Sequence, residues 1–155
     1  MREFIDRNTP PGMNLHQEFL LFLLGNISAF LVSVVGFLKQ YTAARERLFM
    51  YVNEQRVLIR GAEMVPFRAL IDTYFLGFAL VALLHLGFVF YHYAYFRQGS
   101  MSIYLVRRLP QKCEYRRLLS AVPSLAALAT AIIAFATILL CYVIYLLATP
   151  AASLV

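Results

Sequence analysis

The sequence predicts an all-α integral membrane protein: three transmembrane helices, with a short amphipathic cytoplasmic helix between the second and the third. Three observations carry this. Of 155 residues, 61% are apolar and 14% are charged, against about 25% charged in soluble domains. The mean hydropathy is +0.69. The apolar residues gather in three long runs, and the Lys and Arg residues crowd the segments between them. A domain of this size buries only about 60–70% of its unfolded surface, too little to hide so much apolar side chain from water. A soluble enzyme domain, a disordered tail and a secreted disulfide scaffold are set aside on that ground.

The whole chain, 1–155, reads as one membrane domain with spans at 19–39, 67–96 and 118–148 and loops at 40–66 and 97–117. Residues 1–18 are polar, with a turn signal at Pro10, Pro11 and Gly12. Arg2 and Arg7 there are offset by Glu3, Asp6 and Glu18. A signal peptide would have a basic start and a small-residue cleavage site, so the first run is expected to be a retained anchor.

That run, Phe19 to Leu38, is 20 residues long, about 30 Å of helix and one hydrocarbon core. Gly25, Ala29 and Ser33 recur every fourth residue. They form a small-residue ridge where another helix can approach closely, and Asn26 and Ser28 can bond across helices. In the first loop, Leu48–Val52 and Arg56–Ile59 are β-prone and separated by the polar Asn53–Gln55. A hairpin is possible there, provided it has something to pack on. Gly61 ends it, and Pro66 suits the first turn of the next helix.

The second run, Phe67 to Phe96, has 30 residues. As one helix it would be about 45 Å long and project beyond the lipid. Tyr91, Tyr93 and Tyr95 crowd its far end as an interfacial belt. The third run, Leu118 to Ala148, has Pro123 in its first turns. Ala126, Thr130 and Ala134 make a ridge on it, and this ridge is expected to meet that of the first span. Tyr142 and Tyr145 mark its far end.

With three spans, the N-terminus and the second loop share one side. That side holds eight basic residues: Arg2, Arg7, Arg97, Arg107, Arg108, Lys112, Arg116 and Arg117. The other side holds six: Lys39, Arg45, Arg47, Arg56, Arg60 and Arg68. Positive-inside then puts the N-terminus in the cytoplasm and the C-terminus outside a cell membrane. The net charge of +6 serves lipid headgroups rather than nucleic acid, since a basic groove needs a folded soluble surface.

Motifs for phosphate, dinucleotide, nucleophile or zinc chemistry are missing, and the spans hold no carboxylate pair. No catalytic residue, metal or cofactor is expected, and the chain is not expected to be an enzyme. Cys113 and Cys141 have no C-x-x-C partner, and no His lies near in sequence; they read as a loop thiol and a small core hydrophobe. Two histidines fall well inside a span, while Arg68 and Asp72 mark its entry end. His85 and His92 are seven apart, so they share a helix face, about 10.5 Å apart along the axis. They mark either a polar path or a hydrogen bond to a neighbouring helix. The plainer expectation is a neutral His85 bonded within the bundle and an interfacial His92.

The second loop is the sharpest feature. Ser100 can cap a helix begun after Gly99. Met101, Tyr104 and Leu105 then share one face, and Arg107 and Arg108 lie at its end. Pro110 stops the helix, and Glu114 leads with Arg116 and Arg117 into the third span. Over roughly residues 67–147 this resembles the second span, cytoplasmic coupling loop and third span of type-2 ABC exporter permeases. The resemblance implies export, with an ATP-binding subunit in trans docking on the loop, and assembly into a homo- or hetero-oligomer. The chain departs from that family in having three spans rather than six and a long first loop. It is also similar to a group of small three-span bacterial membrane proteins with a Gly-Ser-x-Ser-Ile-Tyr-Leu-x-Arg-Arg-Leu-Pro stretch, which implies no activity. The alternatives are a basic connector held by anionic headgroups, and a non-transport three-helix scaffold or regulatory protein that binds a partner.

Overall fold

A computed structural model describes residues 15–52, 55–59, 61–71, 73–98, 112–150 and 153. The elements in chain order are α1 (Leu15–Glu46), β1 (Phe49–Val52), β2 (Gln55–Leu58), α2 (Phe67–Leu70), a 3-10 turn (Thr73–Phe75), α3 (Leu76–Gln98) and α4 (Lys112–Ala148). Among the described residues three helices are long and apolar enough to cross a membrane: His16–Glu46, Thr73–Ala94 and Leu119–Ala148. Only 22%, 11% and 17% of their most apolar windows is buried within the chain. The apolar side chains left outward suit lipid, and the protein is a multi-pass membrane protein. The expected short helix from Ser100 to Leu109 lies outside the described residues.

The chain forms two compact units: the part up to Asn26 with Phe78–Ile132, and Ile27–Gly77 with Ile133–Val155.

The second of these contains a hydrophobic core. Phe37, Tyr41, Ala44, Leu48, Met64, Leu70, Cys141 and Tyr145 are all buried together. Phe67 packs against this core, half-buried, with ring centroids 6.0 Å from Phe37, 5.1 Å from Tyr142 and 5.6 Å from Tyr145. Such offset and edge contacts each add about 0.5–1.5 kcal/mol to the burial itself. The polar tips of the core also find partners. Tyr145 donates to the Val65 carbonyl at 3.2 Å, and the Tyr41 hydroxyl meets Thr149 Oγ1 at 3.3 Å. Tyr145, at the far end of the third run, is a core residue.

This core explains one expectation that is met, the hairpin, and two departures, in the first helix and the second run. The first helix continues past Lys39 to Glu46 because Tyr41 and Ala44 are buried in the core. The exposed Thr42 bonds back to the carbonyls of Leu38 and Lys39, at 2.9 and 3.0 Å. The hairpin is formed, with Phe49 opposite Leu58 and Val52 opposite Gln55. Its link is therefore the pair Asn53–Glu54, not three residues. Phe49 and Leu58 pack on the core, which is the support that a lone hairpin lacks. Gly61, at φ 79°, turns the chain out of it. Finally, the second run is not one 30-residue helix. It breaks into α2, the 3-10 turn and the 23-residue α3. Leu70 is drawn into the core with Phe67 packed against it, and the Tyr74 carbonyl accepts from Ser33 Oγ at 3.0 Å. Pro66 is the N-cap of α2 rather than a residue of its first turn. What remains, α3, is about 35 Å long and close to the bilayer core.

Candidate functional site

The first unit brings together the chemistry that the spans contain. Within it α1 and α3 run antiparallel: Glu18 meets His92, Phe22 meets His85, and Gly25 faces Val81. Glu18, Phe22 and Asn26 are spaced by four and so share one face of α1. His85 and His92 share one face of α3. Leu119, Pro123, Ala126 and Thr130, spaced by four, three and four, share one face of α4.

His92 is fully buried. Its Nε2 is 2.8 Å from Glu18 Oε1, and its Nδ1 is 3.1 Å from the Leu119 carbonyl. A carbonyl only accepts, so Nδ1 carries a hydrogen and donates it. One further proton then lies between Nε2 and the carboxyl group. The Leu119 carbonyl is available for a chemical reason. Its helical partner would be the N–H four residues on, at Pro123, and proline has none. His92 thus satisfies the acceptor that the proline leaves unpaired, while Glu18 satisfies the other side of the ring. One imidazole ties α1, α3 and α4 together. Pro123 is buried and lies in the interior of α4, because that helix begins at Lys112 rather than at the apolar run.

Seven residues deeper along α3, His85 is 1% exposed. Its ring lies 5.4 Å from that of Phe22 and 6.1 Å from that of Phe88. Asn26 Nδ2 donates to the Phe22 carbonyl at 2.8 Å and to Thr130 Oγ1 at 3.2 Å. Thr130 passes its own hydrogen to the Ala126 carbonyl at 3.0 Å. Both histidines are buried: His92 is bonded at both ring nitrogens, and His85 has one nitrogen, Nε2, without a partner.

The small-residue ridge of α1 has its own close neighbours. Gly25 packs against Val81, where an added Cβ would sit 3.3 Å from its methyl. In the other unit, Ala29 lies under Gly77, and Ser33 bonds to Tyr74. In each unit, then, the members of the α1 ridge have neighbours on the second apolar segment: Val81 at Gly25, and Gly77 and Tyr74 at Ala29 and Ser33. Valine and tyrosine supply the bulk that fills the groove left by small residues. On α4, Thr130 is fully buried and bonds to α1 through Asn26, while Ala126 and Ala134 are half-buried.

Of the expected coupling-loop residues, Gly99, Ser100, Met101, Tyr104, Leu105, Arg107, Arg108 and Pro110 lie outside the described residues. Glu114 lies in α4, and its side chain is also outside them. The flanks of that loop are described. α3 runs to Gln98, and α4 begins six residues before the apolar run at Leu118, about 9 Å of polar helix. His92, six residues before Gln98, grips Leu119, seven residues after Lys112.

Among the described residues there is no cluster of three or more His, Cys, Asp or Glu placed to hold a metal. Glu18, Leu119 and Pro123 were missed as site residues, although Pro123 announces an unpaired carbonyl four residues before it. No protein-family model matches the chain, and no curated protein or solved structure matches it either.

Proposed function

We propose that the chain is a membrane subunit or accessory component of an ABC-type exporter, coupled to a separate ATPase through residues 97–117. In this reading the loop faces the cytoplasm of a cell that carries the protein in its plasma membrane. ATP hydrolysis belongs to the partner, so the chain itself is not an enzyme, and it works within a homo- or hetero-oligomer. The support comes from the loop sequence, Gly99-Ser100 through Arg107-Arg108-Leu109-Pro110, together with the way its stem is built. The observation that carries most is the His92 node. It fixes the ends of α3 and α4 to each other and to Glu18 just below the loop. A force applied at the loop would then pass into three helices rather than into a free connector.

A second reading, a non-transport scaffold or regulatory protein binding a partner, draws on the hairpin. Its outer face carries the paired Met50 and Val57, both exposed, where the exporter family has only a short loop.

The test is co-purification in mild detergent, followed by stimulated ATP hydrolysis. Tyr104→Ala removes an aromatic anchor, worth about 2 kcal/mol or more at an interface centre. It should weaken ATPase binding roughly thirtyfold in Kd with membrane insertion intact. Arg107→Glu with Arg108→Glu reverses charges worth about 1 kcal/mol each at an anionic surface. A headgroup-held connector would answer to that double change through altered topology and ignore Tyr104→Ala. Recovery of a partner that does not bind ATP would favour the scaffold.

A further inference from the structure

We propose that α1 and α3 hold between them a binding site for one water molecule, bridging Asn26 Oδ1 and His85 Nε2. The proposal is independent of the exporter reading. Among the described residues these are the buried side-chain polar atoms that lack any hydrogen-bond partner. Both belong to well-buried side chains, Asn26 at 6% exposed and His85 at 1%. Within a span there is no bulk water to satisfy such atoms. In native proteins buried polar atoms of this kind are paired with protein or with an ordered water.

The two atoms come from facing helices, and both side chains touch Phe22. The Asn26 amide reaches back one turn to the Phe22 carbonyl, and the His85 ring lies against the Phe22 ring. Side chains on a helix lean toward its N-terminus. His85 therefore leans toward Val81, and Val81 faces Gly25, the chain neighbour of Asn26. Because α1 and α3 are antiparallel here, each side chain leans toward the other.

The chemistry then selects the ligand. The atom on the Phe22 carbonyl must be the amide nitrogen, because a carbonyl can only accept. Asn26 is thus left presenting an acceptor, which needs a donor. His85 Nε2 needs a donor when bare and an acceptor when it carries hydrogen. Water answers both cases: one hydrogen goes to Oδ1, and either the second hydrogen or a lone pair goes to Nε2. Two polar partners are the minimum that buried waters are found with.

The experiment uses the full chain in lipid nanodiscs and reads magnetisation transfer from water to carbon-bound Hε1 of His85 and to the Asn26 side-chain amide. Transfer to both residues is expected in the unsubstituted protein. In Asn26→Leu the transfer to His85 should be lost, while the His92 ring signals stay in place. Absence of transfer in the unsubstituted protein overturns the site, as does transfer to only one of the two residues. Unchanged transfer to His85 in Asn26→Leu also overturns it. If Asn26→Leu does not fold, the two-residue measurement on the unsubstituted protein decides alone.

Discussion

The side chain on which most depends is His92. It replaces a backbone donor that Pro123 cannot supply, and it does so from another helix. Its removal leaves two groups unpaired, a carboxylate on α1 and a carbonyl on α4. His92→Phe keeps the ring volume and loses both bonds. Breaking a buried pair from one side costs about 3–5 kcal/mol, and a loss of that order is expected in detergent unfolding. Glu18→Gln is the informative contrast. The glutamine amide can donate to a bare Nε2 while Nδ1–H still holds Leu119, so about 1 kcal/mol should go. Equal losses in both variants would mean that the pair does not organise the unit. The sequence marks both histidines as suspects. It cannot rank them, because their difference lies in the partners. Glu18 sits outside the apolar run and reads as a solvated terminus, until antiparallel pairing of the first two spans sets it beside His92.

At the level of elements, run length and periodicity identify the three helices but misplace their ends. The 30-residue second run breaks because Leu70 in the core and Phe67 packed against it are more useful there than in a continuous helix, and hydropathy cannot distinguish core from lipid. The hairpin is visible in its β-prone stretches; its support, supplied by α1 and α4, is not. The small-residue ridge is also visible, but spacing alone does not say which helix fills it. Two glycines separate these cases. A Cβ at Gly36 would clash with the Tyr74 ring, whereas one at Gly87 meets open space. Gly36→Ala should therefore destabilise by about 1–3 kcal/mol through overpacking. Gly87→Ala, in the middle of α3, should stabilise by about 0.5–1 kcal/mol through helix propensity. Thermal unfolding of the two variants, side by side, checks the opposite signs. A loss at Gly87 would show that this face of α3 is occupied.

For the whole molecule the open quantity is orientation, and it bears directly on function. Three spans force the N-terminus and loop 97–117 to one side. The eight-to-six distribution of basic residues favours the cytoplasm for that side. The cysteines make this measurable without new substitutions. Cys141 is fully buried in the core of its unit, so an impermeant thiol reagent should not reach it in the folded protein. Cys113 is the second residue of α4, five residues before the apolar run at Leu118. Labelling should appear in inside-out vesicles, be lost in Cys113→Ser, and be missing from sealed right-side-out cells. The opposite pattern would place loop 97–117 outside. An ATP-binding partner resides in the cytoplasm, so that result would remove the exporter reading along with the topology. The His92 node and the hairpin would remain, and the scaffold reading would then account for them.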